Sequence, residues 1–191
     1  MQESPVIHWS AIDPNPDLTP EQNQRLLERI DQLVHLGVDN HVQPGDAVGL
    51  SQDYFDGLYE LALRHYQQHN YESASLVLTR LLQLKPYELS YYKSLGACYL
   101  GLKRFDAAIT AYQCGEIFGA MDAELHYYMG LASYFKKEFE PAFDLFRFAR
   151  VLDEQDPKSD HKIADFATQL LTRIQPLVSP EQAKKMDLRP Q

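Results

Sequence analysis

Three alanines set the frame of this chain. Ala74, Ala108 and Ala142 stand 34 residues apart, and the same step joins Tyr71, Phe105 and Phe139. It also joins Leu61 to Leu95 and Met129, and Leu78 to Tyr112 and Phe146. The small residues Ala62, Gly96 and Gly130 follow it too. Columns that keep one period without insertion mean that one unit recurs, and each unit must bury its apolar face against the next.

A step of 34 is the period of the tetratricopeptide repeat, a helical hairpin. The predicted fold is therefore all-α: three tetratricopeptide repeats in a superhelix, with an N-terminal amphipathic helix and a C-terminal capping helix. Two helices approach closely only where side chains are small. Ala62, Gly96 and Gly130 on the first helices are thus expected to face Ala74, Ala108 and Ala142 on the second, with larger neighbours filling the gaps. A Gly inside a helix costs about 1 kcal/mol relative to Ala, so Gly96 and Gly130 point to close packing.

Along the chain, residues 1–18 carry Pro5, Pro14 and Pro16 without periodicity and read as an extended or disordered arm. Residues 19–50 hold a helix and a linker. Thr19, Pro20 and Gln22 form a helix-start signal. Leu26, Leu27, Ile30, Leu33 and Val34 follow on one face, and Pro44-Gly45-Asp46 marks a loop or hinge. The repeats occupy 51–156. Ser51 is the expected cap of the first helix, and Asn70 lies at the first hairpin turn. Residues 157–176 form the capping helix, placed from about Ser159 to Ile174, with Ile163, Phe166, Leu170 and Ile174 on one face. That helix covers the apolar end of the array. Residues 177–191 form a short helix and polar tail. Asp153 and Glu154 are expected on solvated ends.

Stacked hairpins curve, and their first helices line the concave side. The inward positions are Tyr59, Leu63 and Tyr66 in repeat one, Lys93, Ala97 and Leu100 in repeat two, and Tyr127, Leu131 and Phe135 in repeat three. An aromatic and aliphatic lining of this kind is a binding surface. Some tetratricopeptide domains clamp a carboxylate with polar inward residues; Tyr59, Leu63 and Ala97 argue against that here.

Enzymatic chemistry finds no support. Phosphate-loop, nucleophile and paired-carboxylate motifs are absent from the sequence, so no catalytic residue and no cofactor is expected. Of seven histidines, only His65 and His69 share a helical i, i+4 spacing, and no motif supplies a third ligand. Cys98 and Cys114 lack metal or redox spacing. A formal charge of −9 argues against nucleic acid as a partner. With no apolar run long enough to span a bilayer and no signal peptide visible, the expected setting is the cytoplasm, without stable membrane insertion.

The segment Tyr87-Glu88-Leu89-Ser90-Tyr91-Tyr92, followed by Leu95-Gly96-Ala97-Cys98, resembles the class II translocator chaperones of type III secretion. Gly101 to Phe105, Ala108, Tyr112 and Gly115 continue the match. In repeat one, Leu58-Tyr59, Tyr66 and Tyr71-Glu72-Ser73-Ala74 resemble that family's aromatic-rich first repeat. The likeness covers roughly 51–152. It implies a bacterial cytosolic chaperone that holds an extended segment of hydrophobic secreted translocator proteins in its groove, with Tyr59, Tyr66 and Tyr71 among the groove aromatics. It also implies a homodimer formed through the helix bearing Leu26 to Val34, and, for some members, a transcriptional activator as a further partner. The long N-terminal arm, the tail beyond Ile174, Lys103-Arg104 and Met121 to Glu124 depart from the family pattern. A scaffold or regulatory adaptor for a folded protein is the alternative, and an enzyme accessory domain ranks last.

Overall fold

The computed structural model describes residues 43–118 and 121–184, together with Thr19 and Glu21. The chain divides into two units, Met1–Leu50 and Ser51–Gln191. In the first, Pro44–Ala47 forms one helical turn inside the segment expected to be a loop, with Pro44 opening it. The arm, the stripe of Leu26, Leu27, Ile30, Leu33 and Val34, and the tail from 185 lie outside the described residues.

The second unit is all-α among the described residues. Its hairpins are α1 (Gln52–Gln67) with α2 (Tyr71–Leu84), α3 (Leu89–Gly101) with α4 (Phe105–Phe118), and α5 (Ala123–Phe135) with α6 (Phe139–Gln155). The cap follows as α7 (Lys162–Ile174), a 3-10 turn at Gln175–Leu177 and a last helical turn at Pro180–Ala183. Each helix packs on its successor. The first helices also meet one another, α1 with α3, α3 with α5, and α5 with α7, so they form one layer.

Local chemistry sets the ends. Ser51 Oγ accepts from the Tyr54 amide at 3.3 Å and Asn70 Oδ1 from the Ser73 amide at 3.4 Å. All three hairpin turns use one device. His69, Lys103 and Lys137 adopt φ of 59°, 58° and 66°, again 34 residues apart. Their amides reach back to Tyr66, Leu100 and Tyr134 carbonyls, and the next residue's amide to His65, Tyr99 and Ser133. This is the left-handed helix stop usually given to Gly. Adjacent repeats are then bridged at the same level. Arg104 lies 3.0 Å from Glu72, and Lys136 lies 2.6 Å from Asp106.

The small-residue columns pack differently from expectation. A Cβ on Gly96 would lie 2.3 Å from the Tyr112 ring, and one on Gly130 would lie 2.7 Å from Phe146. The glycines make room for the large column of the second helix rather than for its alanines. Repeat one holds the smaller pair Ala62 and Leu78, both buried.

Two expectations at the cap are corrected. Helix α7 starts at Lys162, and the residues it buries are Ala164, Ala167, Leu171 and Ile174. Ala167, Leu171 and Ile174 join Phe143 and Phe146 in a core, whereas Phe166 remains exposed. Of the expected stripe Ile174 is in that core and Leu170 packs against it; small residues let α7 approach α6 closely, so Phe166 lies beside the contact. Asp153 is buried, not solvated. Its carboxylate accepts from the Ala164 amide at 2.8 Å and from the Ser159 hydroxyl, while its carbonyl faces His161 Nδ1 at 2.9 Å. It thereby satisfies a donor at the start of α7 that the preceding residues leave free. Only Glu154 stays in solvent.

Candidate functional site: a groove along the first helices

Side chains from α1, α3 and α5 enclose a groove of about 280 Å³. Leu63, Tyr66, Ala97 and Leu100 form much of its apolar wall, as the register predicts, and Tyr128 joins them. Leu63 and Tyr66 are both 37% exposed, a large share for apolar side chains this close together. Burial raises the pKa of both the Tyr66 and Tyr128 hydroxyls, helped by Tyr71 and Glu124 respectively, so both stay protonated. Burial also pushes the Cys98 thiol up to about 11.

One edge is polar. Lys93 Nζ sits 2.8 Å from Asp122 and 2.7 Å from Glu124. Partial burial alone would lower its pKa, but hydrogen bonds to those two carboxylates outweigh that and raise it. Asp122 also caps α5, accepting from the Glu124 and Leu125 amides at 2.9 and 3.1 Å. The groove therefore holds its one lysine as part of a fixed pair of ion contacts.

The remaining predicted positions lie elsewhere. Tyr59 ties α1 to α3: its hydroxyl is 2.9 Å from Ser94 Oγ and its ring 5.1 Å from Tyr91. Tyr127 and Leu131 line a second cleft, against Phe166, Leu170 and Arg173 of the cap. Tyr71 stands at the first hairpin turn, its ring 5.2 Å from Tyr66 and against Gly101, where a Cβ would come within 2.7 Å. Phe135 stacks on Phe105 at 5.8 Å near the third turn. It falls one residue past the register of Leu100, and one residue on a helix is a rotation of about 100°.

Tyr59, Lys93 and Tyr127 share one register column, and each reaches forward to the next first helix. Their partners are Ser94, Glu124 and Phe166 in turn. Of that column only Lys93 also lines the groove, whereas in the column one residue on both Ser94 and Tyr128 do. That 34-residue step between Ser94 and Tyr128 was the available signal for the residues sequence reasoning missed. Among the described residues no cluster of His, Cys, Asp or Glu could hold a metal ion, and no helix is long and apolar enough to cross a membrane.

This fold has known counterparts. The Low calcium response locus protein H of Yersinia pestis is 31% identical over 90 residues, 45% of this chain and 54% of that protein. The chain thus spans about half the length of the curated relatives it matches. The Yersinia enterocolitica translocator chaperone SycD, solved with a peptide of the translocator YopD, superposes with a TM-score of 0.62 at 25% identity, over 66% of this chain and 96% of that one. The resemblance drawn from the sequence is borne out. PcrH in complex with the chaperone binding region of PopD gives a TM-score of 0.63 at 24% identity, over 68% of this chain and 96% of that one, which speaks to fold. SycD has also been solved in an alternative dimer. No family model matches the chain.

Proposed function

We propose that this chain is a secretion chaperone of the translocator class. It binds an extended segment of a hydrophobic secreted protein in the groove between α1, α3 and α5 and keeps that protein soluble before export. The observation that carries the reading is the open apolar wall of Leu63, Tyr66, Ala97, Leu100 and Tyr128. A peptide with aliphatic side chains would cover that wall and leave its backbone toward the polar edge at Lys93 and Glu124. The likeness to SycD and PcrH, each solved with a translocator segment, supports this occupant over a folded partner.

On this reading the protein turns over no substrate, needs no cofactor and works in the bacterial cytoplasm as a homodimer, with Leu26, Leu27, Ile30, Leu33 and Val34 as the self-association stripe. Co-expression with any hydrophobic secreted proteins encoded beside it tests the reading. At least one should stay soluble and co-purify; insolubility of every candidate would favour the adaptor reading. Light scattering on the full chain and on residues 51–191 tests the dimer: only the full chain should associate at tens of micromolar.

A further inference from the structure

Tyr112 is fully buried on α4, and its hydroxyl has no hydrogen-bond partner among the described residues. Buried polar groups are nearly always paired, so an orphaned one asks for a reason. Packing does not supply it. The equivalent positions one repeat earlier and later are Leu78 and Phe146, also fully buried. Phe146 fills the space over Gly130 as Tyr112 fills the space over Gly96. A phenyl ring therefore satisfies this site in repeat three, and the hydroxyl in repeat two is surplus to the core.

The hydroxyl lies behind the groove wall. Tyr128, Tyr66, Glu124 and Cys98 are the groups that act on it electrostatically, and all four line the groove. Its ring is stacked on that of Tyr128 at 5.9 Å. Burial raises its pKa far above the usual phenol range, so the proton stays on and the group is a donor in search of an acceptor. Tyr66, more than a third exposed, is a side chain with room to swing out of that wall.

We propose that the Tyr112 hydroxyl donates a hydrogen bond to a backbone carbonyl of the peptide segment bound in the groove, once the Tyr66 and Tyr128 rings part to admit it. This rests on the peptide-binding reading above. An extended strand presents carbonyls along its length that solvent no longer satisfies once it is bound, and a buried donor matches that need. The site thus selects for an extended backbone at the centre of the groove, beneath the side-chain pockets.

Tyr112→Phe tests this because it separates folding from binding. Removing an orphaned buried hydroxyl should leave the free chain as stable as before, or more so. Removing a donor that the ligand uses should weaken binding about tenfold. The probes are the chaperone-binding regions of PopD and PopB as labelled peptides, titrated against the full-length wild type and variant alongside their melting temperatures. Replacing single amides of the peptide by esters weakens one carbonyl at a time. One ester should penalise wild type and not Tyr112→Phe. Equal affinity of the two proteins, or a variant that loses stability and affinity together, would overturn the proposal while leaving the groove as the binding site. A wild type that binds neither probe would remove both readings.

Discussion

The Lys93 ammonium and the Asp122 carboxylate meet at 2.8 Å, and the same carboxylate caps α5. One side chain therefore fastens repeat two to the start of repeat three while it begins the next helix.

Lys93→Met should loosen that joint. The pair is half-buried, so its loss leaves Asp122 and Glu124 facing each other without a cation, at a cost of about 1–2 kcal/mol. Urea unfolding at low salt should show this as a lower midpoint with an unchanged slope. The difference from wild type should shrink at 1 M salt, where the wild-type pair is screened. An unchanged midpoint at low salt would mean the pair contributes no net stability.

Gly96→Ala should destabilise by about 2 kcal/mol or more, although Ala is the better helix former by about 1 kcal/mol. The added Cβ would lie 2.3 Å from the Tyr112 ring. Combining it with Tyr112→Leu recreates the Ala62 and Leu78 pair of repeat one and should recover much of the loss. Thermal melts of the two single variants and the double give the coupling directly. Simple additivity of the two losses would refute the packing relation.

Tyr66→Ala should cost about 2 kcal/mol in peptide affinity, roughly thirtyfold, with the melting temperature held. Tyr59→Ala should do the reverse, since it removes the hydrogen bond to Ser94 and the contact with Tyr91. Tyr127→Ala should act on the cap, seen as faster hydrogen exchange in α7 with the central groove still binding. A Tyr59 variant that keeps its stability and loses affinity would return that residue to the groove.

Cys98 should resist thiol reagents at pH 8 in the folded protein, while the half-exposed Cys114 reacts. Burial raises the Cys98 pKa from its ordinary 9.0 to about 11, so the folded state retains a proton that the unfolded chain gives up. Stability from this group is complete below pH 9 and is lost as pH rises from there toward 11. Cys98→Ala should flatten that part of the stability curve. Matching alkaline profiles for the variant and wild type would show that the thiol does not govern it.

Much of this was legible in the sequence because repeats declare themselves by position. The 34-residue columns gave the hairpins, and Ser51 and Asn70 gave their starts. Leu63, Tyr66, Lys93, Ala97 and Leu100 reached the groove because their register fixes their direction. The columns could not reveal what only spatial neighbours decide. Tyr127 repeats the place of Lys93, yet its neighbour is the cap rather than another repeat, so it faces a different cleft. Asp153 looks like any acidic residue near a helix end until Ala164, eleven residues on, turns its amide toward it. The left-handed turn residues His69, Lys103 and Lys137 carry no glycine to announce them. For those the backbone geometry is imposed by the hairpin closing around them.

The forward-reaching column of Tyr59, Lys93 and Tyr127 makes the three seams of the superhelix chemically unlike. The first is closed by a neutral hydroxyl contact, the middle by charge and the last by aromatic rings. The first seam also carries the exposed Arg104–Glu72 pair at its turn, so ionic strength acts on the first two seams and leaves the aromatic last one largely alone. A solenoid with three identical seams would stiffen or relax along its whole length. In this one, salt acts on the joints that repeat two makes with its neighbours, while the aromatic seam at the cap keeps its set.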